Sequence, residues 1–337
     1  MITPVPFPRG VASPDGTRGF IEMATTGVAA LDLSSGTDLW HHTTPARPRL
    51  IIDDGLVAQD LAATHGNVLR FLLLSISGGG GVVLRTAPLS LPDGVAVDDP
   101  EQNVRVELFG GTDHFTVVWR VEAYYQGGAP PPASVLARSH RVLRGAARVD
   151  LATGAVTTQA DPPSVADQPV RSTAMAVESA SYIRDLTWHD SPWQADGFTA
   201  ALAKPDTGDR LLLRRWTPSG DELSAVTLAV HRDSIADVTP DGHDVFVRIE
   251  PDGRSDASQR WDVFSVAAGK QTGSVPYEHG ATWPCVVHGR VFYLVEATRA
   301  SAPRRTTLKA FDLATGRELW RKVLPDAAVA APPARRM

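Results

Sequence analysis

The chain has one cysteine in 337 residues, so it can form no internal disulfide and no multi-cysteine metal site. That residue, Cys285, sits in the apolar run Thr282-Trp283-Pro284-Cys285-Val286-Val287 and reads as a small buried side chain in a strand. Basic residues are not in excess: the formal net charge is -5, which argues against a surface that neutralises phosphates and so against nucleic acid as a partner. Long hydrophobic runs are missing too. No stretch reaches the roughly 18 apolar residues of a membrane helix. The start, Met1-Ile2-Thr3-Pro4-Val5-Pro6-Phe7-Pro8-Arg9, lacks the apolar centre of a signal peptide. The expectation is a soluble, cytoplasmic protein with no membrane partner.

Helical periodicity is absent as well. No long segment places apolar residues at i, i+3, i+4 and i+7. The 26 prolines and 28 glycines are scattered throughout, which suits many short strands. Hydrophobic residues at 43% supply ample material for a core.

A repeat organises the chain. Ala30-Leu31-Asp32-Leu33-Ser34-Ser35-Gly36-Thr37-Asp38-Leu39-Trp40 and Ala310-Phe311-Asp312-Leu313-Ala314-Thr315-Gly316-Arg317-Glu318-Leu319-Trp320 share Ala, Asp, Gly, Leu and Trp at the same offsets. A third copy, Val149-Asp150-Leu151-Ala152-Thr153-Gly154, keeps the turn and has Thr158 in place of Trp. This is a β-hairpin pattern. The aspartate accepts from the backbone two residues on, the glycine takes the positive φ that closes the turn, and Leu and Trp leave on opposite faces. A Trp at a fixed offset suits packing against a neighbouring unit. Weaker copies have Gly79, Gly111, Gly220 and Gly269 as turn glycines, and the mean spacing of the seven turns is about 47 residues, near that of a four-stranded propeller blade. A second series, Asp15-Gly16, Asp54-Gly55, Asp93-Gly94, Asp241-Gly242 and His288-Gly289, reads as the turn between first and second strands.

These Ala-x-Asp-x-x-x-Gly-x-x-Leu-Trp segments resemble the repeats of the quinoprotein-like (PQQ-like repeat) β-propeller family. The resemblance implies an all-β fold: one β-propeller of four-stranded antiparallel blades over residues 1–325; residues 326–337, rich in Ala, Pro and Arg, are expected to be a flexible tail. Seven blades are favoured, with six as the alternative if the Gly111 turn is dropped. The enzymes of that family carry an adjacent cysteine pair over their quinone. One cysteine cannot supply it, so no cofactor is expected. The repeat residues Asp32, Asp150, Asp312, Trp40 and Trp320 are then turn and packing elements.

Candidate chemistry lies in the excess between repeats. The interval from Gly154 to Gly220 exceeds the mean by about twenty residues, and contains Trp188-His189-Asp190-Ser191-Pro192-Trp193. Two readings compete there: a pocket in which His189 and Asp190 move a proton between walls of Trp188 and Trp193, or a Trp-anchored strand corner. Glu278-His279-Gly280-Ala281-Thr282-Trp283 enters a first strand, so His279 and Trp283 are further substrate-binding candidates. Tyr124 to Pro132 reads as a projecting loop, either a lid or a plain insertion. No His-Glu-x-x-His or His-x-His occurs, so no metal is assigned, although His189, His231, His243, His279 and His288 would be the candidates for an axial ion.

Three functions remain open. The first is a propeller binding a small organic ligand or a protein partner at the mouth of its channel. The second is a lyase, cyclase or hydrolase of specialised metabolism, with His189 and Asp190 catalytic. The third is a metal-dependent hydrolase or lyase with axial histidines.

Overall fold

A computed structural model describes residues 2–23, 27–77, 80–93, 95–99, 102–123, 143–159, 187–188, 193–195, 197–204, 210–217, 219–229, 236–239, 241–249, 259–296 and 306–324. Every regular element among them is a β-strand, so the expected all-β class holds. No helix among these residues is long and apolar enough to cross a membrane. They divide into two compact units, residues 2–5 with 9–159, and residues 6–8 with 187–324.

The strands form six antiparallel sheets. The first holds β1 (Val5–Phe7), β2 (Gly10–Ala12), β3 (Arg18–Met23), β4 (Gly27–Asp32) and β5 (Asp38–His42). The second holds β6 (Ala46–Ile52), β7 (Gly55–Asp60), β8 (Val68–Ser75) and β9 (Val83–Ser90). The third holds β10 (Gln102–Gly110), β11 (His114–Ala123), β12 (Leu143–Asp150) and β13 (Val156–Gln159). In the fourth, β14 (Thr187–Trp188) and β15 (Trp193–Ala195) both pair with β16 (Phe198–Lys204), followed by β17 (Leu211–Trp216) and β18 (Glu222–Ala229). The fifth comprises β19 (Ala236–Val238), β20 (Asp244–Ile249), β21 (Arg260–Ser265) and β22 (Lys270–Pro276). The sixth comprises β23 (Ala281–Val287), β24 (Arg290–Glu296), β25 (Thr306–Asp312) and β26 (Glu318–Leu324).

Side-chain alternation decides how sheets stack. In the second sheet, Ile51, Leu56, Ala58, Leu72 and Leu74 face one way and share a core with Phe20, Val28 and Ala30 of the first sheet. Leu50, Ile52, Val57, Leu69 and Phe71 face the other way and share a core with Phe115, Val117 and Val149 of the third. The second unit repeats the plan. Val245, Val247 and Phe264 of the fifth sheet pack on Leu202, Leu211 and Leu213 of the fourth. Phe246, Trp261 and Val263 pack on Tyr293 and Phe311 of the sixth. Strands buried on both faces need apolar runs, as in β7, which is buried throughout, with Leu56-Val57-Ala58 ahead of the polar Gln59 and Asp60. Last strands are more exposed, as in β9, where Arg85 and Pro88 are the residues that blunt the open edge. Each large side chain so buried is worth about 1.5–3 kcal/mol.

The repeat turns behave as their residues dictate. Asp32, Asp150 and Asp312 each accept a backbone N–H through Oδ1, from Ser34 at 2.7 Å, Thr153 at 2.8 Å and Thr315 at 2.8 Å. Gly36, Gly154 and Gly316 follow with φ of 73°, 74° and 68°. Trp40 packs on the next sheet of its unit, so close that a Cβ on Gly80 would lie 2.0 Å from its Nε1. Each of these turns joins the last two strands of its sheet, as do Gly220 and Gly269; in the first sheet β1 is an extra strand ahead of the meander β2 to β5.

Two turn assignments change. Gly111 lies between β10 and β11, the first and second strands of the third sheet, where Gly110 pairs with Phe115. It therefore belongs with Gly16, Gly55, Gly242 and Gly289. Asp93 lies in the connection from β9 to β10 and closes no hairpin. Among the described residues each sheet thus has one third-to-fourth turn.

Candidate functional site

The second sheet opens with Ala46-Arg47-Pro48-Arg49-Leu50-Ile51-Ile52, a strand with one exposed and one partly buried arginine ahead of its apolar end. Its pairing with β7 slips between Pro48, opposite Ala58, and Leu50, opposite Val57. Arg49 is the extra residue of this bulge, a device that bends a strand and re-aims one side chain. Proline at 48 fits, because it has no N–H to give to a ladder.

Arg47 and Arg49 differ in how their charge is met. Arg47 Nε donates to Glu22 Oε2 at 2.6 Å. Arg49 Nη2 donates to the neutral Oε1 of Gln59 at 2.8 Å. Arg49 Nε is buried and has no hydrogen-bond partner. Burial, and secondarily the charge of Arg47, hold the Arg49 guanidinium down to about 10, with Glu22 opposing.

Both arginines line an open cleft of about 240 Å³. Gln59, Thr64 and Asp98 complete its polar lining, and Leu61, Leu69, Val97, Val104 and Val106 form an apolar wall. Val104 and Val106 come from β10, the first strand of the third sheet, so the cleft lies where β6 and β10 approach within one unit. Asp98 Oδ2 accepts from Gly66 N–H at 3.1 Å. An apolar wall facing a few convergent polar groups is the usual make-up of a small-molecule site.

The residues singled out from sequence lie elsewhere. His189, Asp190, His231 and the Tyr124 to Pro132 loop fall outside the described residues. Trp188 pairs with Ala203 at the end of β14. Trp193 is 3% exposed in the core of the fourth and fifth sheets, and its Nε1 donates to the Gly242 carbonyl at 3.0 Å. His279 is exposed between β22 and β23. Trp283 sits in a bulge of β23, between Thr282 and Cys285, with φ of 58° and 57% exposure. His243 and His288 are exposed in first-to-second turns. Among the described residues no three or more His, Cys, Asp or Glu side chains gather as a metal site.

Sequence reading passed over Arg47, Arg49 and Gln59. The available signal was Arg-x-Arg immediately before the apolar run Leu50-Ile51-Ile52.

No family model and no curated protein matches the chain. Among solved structures it is similar to the dihydro-heme d1 dehydrogenase NirN in complex with DHE, at 12% identity and TM-score 0.37, covering 96% of this chain and 66% of that one. Kluyveromyces lactis Hsv2 matches at 10% identity and TM-score 0.39, over 93% of this chain and 95% of that one. An oligogalacturonate lyase in complex with manganese matches at 13% identity and TM-score 0.35, over 94% and 77%. The chain thus spans just under two thirds of NirN, and 43% of a prolyl endopeptidase that also matches. The neighbours are β-propeller proteins. At this distance they bear on no residue of the cleft.

Proposed function

We propose that this chain is a quinoprotein-like β-propeller of six blades that binds a small organic ligand in the cleft between β6 and β10. Support for the architecture comes from the six antiparallel sheets of four or five strands and from the Asp-to-Gly turn of the first, third and sixth sheets. In such a propeller the first strand of each blade borders the central channel, which would bring Arg47 and Arg49 to its wall. The observation that carries the binding reading is the cleft itself: about 240 Å³, lined by five apolar side chains together with the two arginines, Gln59, Thr64 and Asp98. The acid–base reading of His189 and Asp190 has no observation of its own among the described residues, so binding is the reading carried forward.

The test is native mass spectrometry of untagged protein beside Val106→Trp, which fills the cleft from its apolar side. The expected result is a co-purifying small molecule on the wild type that the variant loses while its melting temperature holds. Equal occupancy of both proteins, or none on the wild type at any cellular extract concentration, would overturn the assignment.

A further inference from the structure

We infer that the cleft takes a monocarboxylate with an apolar body, its carboxylate seated on the guanidinium of Arg49; this rests on the cleft being a ligand site. Three independent features converge on that chemistry.

The first is hydrogen bonding. A guanidinium has five N–H donors in a planar fork and accepts nothing. Arg49 has one of them on Gln59, and its Nε is buried with no acceptor. A buried donor left empty is rare, and a carboxylate oxygen supplies the missing acceptor. Its second oxygen suits the parallel geometry in which arginine binds carboxylates.

The second is charge. Arg47 is already paired with Glu22, whereas Arg49 meets no acidic side chain within ion-pair distance among the described residues. Of the two, Arg49 is therefore the arginine with no carboxylate in direct contact among the described residues. A monoanionic head supplies one. A phosphate monoester near neutral pH carries up to two negative charges, and Asp98 on the lining and Glu22 behind Arg47 would repel the second.

The third is shape. The bulge takes Arg49 out of register, and Leu69, Val97, Val104 and Val106 offer its occupant an apolar surface. A head that needs one cation and a body that needs none is what these walls accommodate.

Calorimetry and thermal-shift titrations with hexanoate, 1-hexanol and hexyl phosphate test this on the full chain. The wild type should prefer hexanoate over hexanol by about tenfold or more. Gln59→Glu keeps the side-chain shape and gives Arg49 an internal carboxylate, so it should erase that preference; Arg49→Met should do the same. Hexanol binding as well as hexanoate, hexyl phosphate binding more tightly, or a preference that survives Gln59→Glu would each overturn the carboxylate assignment while leaving the cleft as a ligand site. Binding of none of the three would overturn both.

Discussion

The backbone N–H of Leu313 donates to the carbonyl of Gly289 at 3.0 Å, joining the residue after the turn aspartate to the turn between first and second strands of the sixth sheet. The same tie recurs from Leu33 to Thr17, Ile76 to Asp54, Leu151 to Asp113 and Val266 to His243. Two turns at the same end of each of these sheets are thus held as one unit, and their geometries are coupled.

Within that unit the two glycines are not equivalent. Gly289 has φ of 73° with open space where a Cβ would go, whereas a Cβ on Gly316, at φ of 68°, would lie 2.7 Å from the Ser274 carbonyl oxygen. Gly289→Ala should cost about 1 kcal/mol, the ordinary penalty of a left-handed residue. Gly316→Ala adds a clash with backbone and should cost more than about 2 kcal/mol. Urea unfolding of the two variants measures the difference; equal midpoints would contradict it.

Acid should loosen the repeat turns. Hydroxyls hold the turn carboxylates below their usual 3.8: Ser34 first for Asp32, Thr153 for Asp150 and Thr315 for Asp312. A carboxyl whose folded pKa lies below its unfolded one stabilises the fold above the unfolded value, and loses that contribution as pH falls through the folded value. Melting temperature should therefore be level above about pH 5 and drop below about pH 4. Asp312→Asn should melt lower than wild type near neutrality, and the gap should close as pH falls. A gap independent of pH would contradict this account.

Two tryptophans should respond in opposite ways. Trp193→Phe leaves the buried Gly242 carbonyl without its donor, at a cost of about 1–3 kcal/mol. Trp283 is exposed and left-handed, so Trp283→Gly removes backbone strain and little packing. It should be neutral or stabilising by up to about 1 kcal/mol. Denaturation midpoints of both variants decide the matter, and a destabilised Trp283→Gly would show that the indole has a packing role.

Cys285 provides a probe of opening. Its side chain is 2% exposed, and burial first, then the charges of Asp241 and Asp244, push the thiol well above its ordinary value. A thiol reagent should be silent on the folded protein and react with one equivalent in urea. Fast labelling without denaturant would mean that the sixth sheet opens locally.

What could be read from residues alone was whatever short-range chemistry decides. The Asp32-to-Gly36 and Asp312-to-Gly316 turns are closed by groups a few positions apart, so their pattern in the chain is the structure's pattern. Gly111 misled because Gly110-Gly111-Thr112-Asp113 looks alike in either kind of turn, and only the register of β10 against β11 distinguishes them. Trp193 leaves a pocket wall and a strand corner both open from sequence, because an indole beside polar residues has the same local signature whether it meets a ligand or a backbone carbonyl such as that of Gly242.

The sequence by itself determined the all-β class, the hairpin repeat and the apolar central strands, because alternation and turn formation depend on neighbours along the chain. Tertiary structure alone decided the cleft. Glu22 reaches Arg47 from another sheet, Gln59 reaches Arg49 across a strand pair, and Val104 and Val106 arrive from a third sheet. Which of two arginines meets a carboxylate and which a neutral amide depends on groups ten or more residues away, and no local spacing encodes that.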